Sequence, residues 1–168
     1  MGRYTKQKNH GLLIRAFHRF RLSHPDYTLH LYGDGELRES LQTLIDELQL
    51  QDAVFLEGFR DDVHERIKNA KMFVLSSDYE GMSNALMEAM MMGLPCISTS
   101  CTGSDELIED GKTGLLVPCG DADALAAAMG RVADDEELCK RLRDHAQLQC
   151  LDFELGRVVR NWERIMFR

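Results

Sequence analysis

The stretch that decides the fold is Met72-Phe73-Val74-Leu75-Ser76-Ser77-Asp78-Tyr79-Glu80-Gly81-Met82-Ser83-Asn84-Ala85-Leu86-Met87-Glu88, with Pro95-Cys96-Ile97-Ser98 soon after it. A short apolar run ends in two serines, and a polar loop follows. Apolar residues then recur at helical spacing as far as Gly93, which stops the helix just before Pro95. The order is strand, loop, short helix, strand. Ala85, Leu86, Ala89 and Met90 form the face suited to burial, and Met87, Met91 and Met92 suit packing. Gly81 is expected to let the backbone turn where a side chain would obstruct it.

The loop-to-helix junction carries the chemistry. Ser83 or Asn84 suits the helix cap, and the N–H groups of residues 82 to 85 point outward unpaired. Glu88 lies about one turn inside, and helical side chains lean toward the N-terminus. Glu80 and Glu88 are therefore expected at one mouth. A lone glutamate usually just faces water; a pair flanking a helix N-terminus is a different case. The N–H donors suit an anion, and the carboxylates suit hydroxyls. A sugar nucleotide offers both.

Working outward, the same alternation repeats. Strands are expected at 28–32, 53–56, 72–75, 95–99 and 115–117. Helices are expected at 10–22, 36–49 and 121–133, with a short one after Asp61-Asp62 and others at 135–148 and 152–166. Residues 101–104 read as a polar turn and 105–110 as a helical turn. The strands are apolar runs more than alternating ones, which indicates a parallel sheet covered on both faces. The fold class is thus α/β, a Rossmann-like parallel sheet with helices on both faces. Ligands in such folds sit outside the carboxyl ends of the strands. That directs attention to residues 2–9, 33–36, 57–61, 76–84 and 99–104.

The 168 residues make one domain with room for a real core. A net charge of −8 argues against a nucleic-acid partner. The charge is uneven. Residues 1–25 hold Arg3, Lys6, Lys8, Arg15, Arg19 and Arg21 and no acid. A basic N-terminal segment on an acidic body attracts phosphate, although Arg15, Arg19 and Arg21 read as the solvated face of a helix. Residues 1–10 are polar, unlike a secretory leader. The five cysteines include no Cys-x-x-Cys pair, which suits reduced thiols and a cytoplasmic address. The six histidines show no paired metal spacing, so no metal site is expected. Gly33-Asp34-Gly35 is either a turn or a ligand loop. As a dinucleotide fingerprint it fails, because Arg38 stands where Gly is needed.

Taken together, these motifs resemble one family. Glu80 and Glu88 are similar to the E-x7-E motif of the retaining glycosyltransferases with two Rossmann-like domains, the GT-B architecture of "glycosyl transferases group 1". Gly2-Arg3 and Lys8-Asn9 resemble the family's G-R-x-x-x-x-K-N loop. Gly33-Asp34-Gly35, Gly58, Glu106-Leu107-Ile108 and Asp110-Gly111-Lys112-Thr113-Gly114 follow in the family's order and spacing. The resemblance covers residues 2 to about 162, and it is to the C-terminal, donor-binding half.

The resemblance implies a role for each site residue. Arg3 and Lys8 would bind the donor diphosphate. Backbone groups at Met82, Ser83 and Asn84 would hold phosphate and sugar at the helix N-terminus, and Gly33 would be a further donor-binding residue. Glu80 would bond hydroxyls of the transferred sugar. Glu88 would take the ribose, with Leu86 lining that pocket, and Phe59 and Arg60 would border the base. The donor would be a UDP- or GDP-linked sugar, used without a metal or cofactor. The acceptor would be a glycan or a lipid-linked sugar, as in polysaccharide biosynthesis. The full-length protein would be cytoplasmic, free or at the inner face of the membrane. Two departures are expected to matter. The family's N-terminal acceptor domain does not precede residue 1, and only Met1 remains of the strand that leads into the Gly-Arg loop. The chain therefore reads as a fragment in which strands 28–32 and 72–75 each expose an edge. It is expected not to transfer sugar alone. A non-catalytic sugar-nucleotide binding module is the alternative reading, and an interaction domain without a nucleotide is a third.

Overall fold

The computed structural model describes residues 1–150; the expected helix at 152–166, with Trp162, lies outside the described residues. Strands and helices alternate along the chain. They are α1 (His10–Arg21), β1 (Leu29–Tyr32), α2 (Arg38–Glu47), β2 (Val54–Gly58), α3 (Val63–Ile67), β3 (Phe73–Leu75), α4 (Asn84–Met91), β4 (Cys96–Thr99), α5 (Thr102–Leu107), β5 (Leu115–Val117), α6 (Ala122–Asp134) and α7 (Glu136–Cys150). One expectation needs correcting. Residues 101–104 do not form a turn ahead of a helix at 105–110; the helix already starts at Thr102, with Ser104 N–H bonding back to Cys101 O at 2.8 Å.

Every strand pairing is parallel. β1 pairs with β2, and β3, β4 and β5 pair in that order. The two rows are not hydrogen-bonded to each other among the described residues. β1 and β3 therefore face one another as edges, as expected from the sequence.

The strand pattern shows why both faces must be covered. Along β3–β5, side chains alternate between two cores. Val74, Ile97, Leu115 and Val117 join the first, while Phe73, Leu75, Cys96 and Leu116 join the second. The first core is closed by α1, α2 and α6, with Phe17, Ile45, Leu125 and Met129 buried in it. The second is closed by α4, α5 and α7, with Leu86, Met90, Leu107 and Ala146. β4 is buried at all four positions, so it lies between the two layers. Short polar side chains finish the strands: Ser76, Ser77 and Thr99 are all buried and sit where the chain leaves the sheet.

Caps fix where the helices begin. Asn9 sits before α1 in the left-handed region, φ 43°, which asparagine tolerates better than most residues. Its Oδ1 accepts from Leu12 N–H at 3.2 Å. Asp121 caps α6 by accepting from Asp123 and Ala124 N–H. Ser83 occupies the cap position of α4, but its side chain makes no capping bond. Among the described residues, no helix is long and apolar enough to cross a membrane.

Candidate functional site

The loops at the carboxyl ends of the strands are clasped to the N-terminal segment. Gly2 N–H donates to Tyr32 O at 2.9 Å, Tyr4 N–H to Asp34 O at 3.0 Å, and Leu37 N–H to Tyr4 O at 3.1 Å. The 2–4 segment thus crosses directly over the turn after β1. That crossing explains Gly33-Asp34-Gly35. A Cβ on Gly33 would fall on the carbonyl of Gly2, and one on Gly35 would lie 2.7 Å from Tyr4 O.

A second clasp joins residues 7–9 to the loop after β3. Asp78 N–H donates to Gln7 O at 2.9 Å, Gln7 Nε2 to Tyr79 O at 2.9 Å, and Asn9 Nδ2 to Asp78 Oδ1 at 2.8 Å. Ser76 Oγ donates to Lys8 O at 2.9 Å. The clasp delivers Lys8 to Glu80. Lys8 Nζ and Ser77 Oγ both donate to Glu80 Oε1, at 2.5 and 2.6 Å. The Glu80 side chain is only 7% exposed, and Oε2 makes no hydrogen bond among the described residues. Beneath the loop, Thr99 Oγ1 donates to Ser77 O at 2.5 Å. Glu80 is therefore held with one oxygen committed and one to offer.

Just beyond it α4 begins. Leu86 and Met87 N–H bond back to Ser83 O. The N–H groups of Met82, Ser83, Asn84 and Ala85 make no backbone bond among the described residues. Ser83 is 3% exposed, and its Oγ is buried without a hydrogen-bond partner among the described residues. A hydroxyl left unpaired in such a place costs free energy unless something fills the need.

The remaining expected residues lie in two further places. Arg3, Gly33, Phe59 and Arg60 line one cavity of about 700 Å³, shared with Gly2 and Val63. Arg3 and Phe59 are exposed there. Glu88 sits with α3: its Oε2 lies 3.1 Å from His64 Nε2, and both side chains are about half exposed. Among the described residues the Glu88 side chain has one hydrogen bond, to His64, and the Glu80 side chain has two, from Lys8 and Ser77. Leu86 is fully buried in the second core and has no exposed surface to lend a pocket. Met82 and Asn84 are exposed at the junction.

Gly81 needs reinterpreting. A Cβ there would meet nothing within 4 Å, so no neighbour demands glycine. The demand lies at Gly103 instead, whose Cβ would fall on the Gly81 carbonyl. The loop that carries Glu80 rests directly on α5. Sequence reasoning also passed over Ser77 and His64. For Ser77 a signal was there, since a polar pair closing an apolar strand belongs at the ligand end of the sheet.

Comparison with known proteins agrees with this geometry. The family model for glycosyl transferases group 1 matches residues 1–149. The chain belongs to that family. It is 32% identical over 196 residues to an uncharacterized glycosyltransferase of Methanocaldococcus jannaschii, covering 99% of this chain and 48% of that protein. It is 31% identical to the N-acetylgalactosamine-N,N'-diacetylbacillosaminyl-diphospho-undecaprenol 4-alpha-N-acetylgalactosaminyltransferase of Campylobacter jejuni, covering 96% and 44%. Among solved structures, Anabaena HepE in complex with UDP-glucose superposes with a TM-score of 0.83 at 25% identity, covering 89% of this chain and 42% of HepE. The chain thus spans less than half the length of these relatives. Its fold is that of the C-terminal half of a GT-B glycosyltransferase.

Proposed function

We propose that this chain is the donor-binding half of a retaining glycosyltransferase that uses a nucleotide-diphosphate sugar, UDP- or GDP-linked. The observation that carries the reading is Glu80. It is nearly buried, fixed through one oxygen by Lys8 and Ser77, and set beside a helix N-terminus whose N–H groups and Ser83 hydroxyl lack partners among the described residues. A ligand with hydroxyls for Oε2 and an anion for α4 meets both needs. Lys8 and Arg3 bring positive charge to the same end of the sheet. HepE, a protein of this fold, has been crystallised with UDP-glucose.

In this reading Glu80 holds hydroxyls of the transferred sugar. Lys8, Arg3 and the α4 N-terminus stabilise charge building on the diphosphate as the sugar–phosphate bond breaks, so no metal is required. The leaving phosphate oxygen takes the acceptor's proton while the acceptor oxygen bonds to the anomeric carbon. The base lies in the cavity with Gly33, Phe59 and Arg60, and exposed Phe59 offers it an apolar face. Glu88 takes the ribose, and to do so it exchanges its His64 partner for a hydroxyl. The acceptor, a glycan or lipid-linked sugar, is held by an N-terminal domain.

Calorimetric titration with UDP, GDP, ADP and their sugars tests the reading. Saturable binding of one sugar nucleotide, lost in Glu80→Gln but with the parent diphosphate still bound, is expected. A folded protein that binds none of them at millimolar concentration refutes it.

A further inference from the structure

The basic residues of the N-terminal segment are not used alike. Lys8 holds Glu80, Arg19 pairs with Asp123 and Arg21 with Asp52, and Arg3 belongs to the cavity with Arg60. Lys6 and Arg15 have no ion pair among the described residues, and both are exposed. They line a separate cavity of about 600 Å³ between α1 and α2, which shares no lining residue with the cavity of Arg3 and Arg60.

The N-terminus of α1 opens into this cavity. Asn9 accepts from the N–H groups of Leu12 and Leu13. Those of His10 and Gly11 make no hydrogen bond among the described residues. A twelve-residue helix carries partial positive charge at that end, and its first turn holds no acid to answer it. A second observation is independent of the helix end. His10 lines the cavity, is only 7% exposed, and its Nδ1 is buried without a partner among the described residues. A buried ring nitrogen left unmet is costly. Gly11 adds a third. It lies inside the helix, where glycine is a poor choice, yet a Cβ there would meet nothing closer than Leu44 Cδ2 at 3.8 Å, an ordinary contact. What glycine provides is bare backbone: Cα–Cβ bonds lean toward the helix N-terminus, so a methyl group at 11 would lean over the peptide groups there.

We propose that this cavity is a second anion site, which binds the phosphate group of a small ligand between Lys6, Arg15 and the N–H groups of His10 and Gly11. Fixed N–H donors with two mobile cations match the several oxygens of a phosphate. A neutral imidazole can carry its proton on Nδ1 and adds one more donor. Two acids border the cavity. Asp78 already accepts from Asn9 through Oδ1, and Glu47 is the last residue of α2. With the hydroxyls of Ser40 and Thr43 beside it, Glu47 offers partners to a sugar, so inorganic phosphate and a phosphorylated sugar share the chemistry the site takes. None of this depends on the donor reading.

Inorganic phosphate is titrated into the isotopically labelled 168-residue chain at constant ionic strength, and the amide resonances of His10 and Gly11 are followed. A saturable shift of both is expected, and it should persist in Arg3→Ala, which separates it from the donor cavity. Lys6→Ala and Arg15→Ala should each weaken binding roughly tenfold. Gly11→Ala should weaken it by a similar factor while raising the melting temperature, so that lost binding is not lost folding. Glucose 1-phosphate separates the sources: tighter binding than inorganic phosphate assigns a phosphorylated sugar, and equal binding assigns the free ion. Absence of a saturable shift at tens of millimolar phosphate overturns the proposal. So does a shift unchanged by the Lys6→Ala, Arg15→Ala double variant, or one lost in Arg3→Ala, because the phosphate is then held elsewhere. Glucose binding as tightly as glucose 1-phosphate overturns it too.

Discussion

Glu80 and Glu88 flank the same helix start, yet the protein treats them differently. Glu80 is held by two donors, lies almost out of solvent, and sits on a loop pinned to the N-terminal segment and to α5. Glu88 is about half exposed, and its one side-chain hydrogen bond among the described residues is to His64, itself exposed on a five-residue helix. In the proposed function, the difference separates a group prepared before the ligand arrives from one that is organised by it. Preparation is most valuable where charge changes during reaction. In the proposed function Glu88 contacts the ribose, a contact that is the same before and after transfer and can tolerate adjustment.

The sharpest way to break that contrast is to lift the Glu80 loop without touching Glu80. Gly103→Ala places a methyl group on the Gly81 carbonyl. A loss of about 4 kcal/mol of stability is expected, read as a lower denaturation midpoint, together with loss of sugar-nucleotide binding. Gly81→Ala meets nothing and should be nearly silent. If the two variants behave alike, the loop is not seated as described.

Acid attacks the prepared side next. Burial, then the N-terminus and Lys8, lower the His10 pKa from 6.5 to about 4. A basic group depressed on folding favours the native state above its unfolded pKa and loses that contribution as pH falls through the folded one. Urea midpoints should therefore drop between pH 6.5 and 4, by on the order of 3 kcal/mol from His10. His10→Phe should flatten the lower part of the profile.

Lys8→Ala and Arg3→Ala come third, each costing roughly 1.5–3 kcal/mol of UDP affinity if its contact is well formed. Uridine affinity should hardly change. Equal losses for UDP and uridine would remove the phosphate role.

The open side should respond least. Glu88→Gln is expected to cost about 1 kcal/mol for any nucleoside diphosphate, alike for UDP and GDP. His64→Ala should change stability by less than about 1 kcal/mol, as exposed pairs do. A larger stability loss from His64→Ala would show that this side too is built in advance.

How much of this was legible follows from distance along the chain. Strand positions could be read because β3, β4 and β5 are short apolar runs whose burial needs no knowledge of their neighbours. The helix faces could be read for the same reason. The glycines could not. Gly33 and Gly35 are required by the backbone of residues 2–4, and Gly103 by Gly81. Only the folded chain brings those partners together. Gly81 was misread because a glycine in a loop invites a local explanation. His64 was missed because its meaning depends on Glu88, on another helix. Leu86 was expected at a pocket wall because of the family's pattern, whereas its helical spacing with Ala89 and Met90 already pointed inward.

The Cys119 thiol lies just past the end of β5, 3.3 Å from Ser100 O and within 3.9 Å of Ser77 O. It is the exposed cysteine of the five; Cys96, Cys101, Cys139 and Cys150 are buried. Nature has thus left one address for chemical labelling, beside the loop that carries Glu80. A trifluoromethyl tag attached there would give a single fluorine resonance. Its shift would report, without any substitution, whether that loop is occupied.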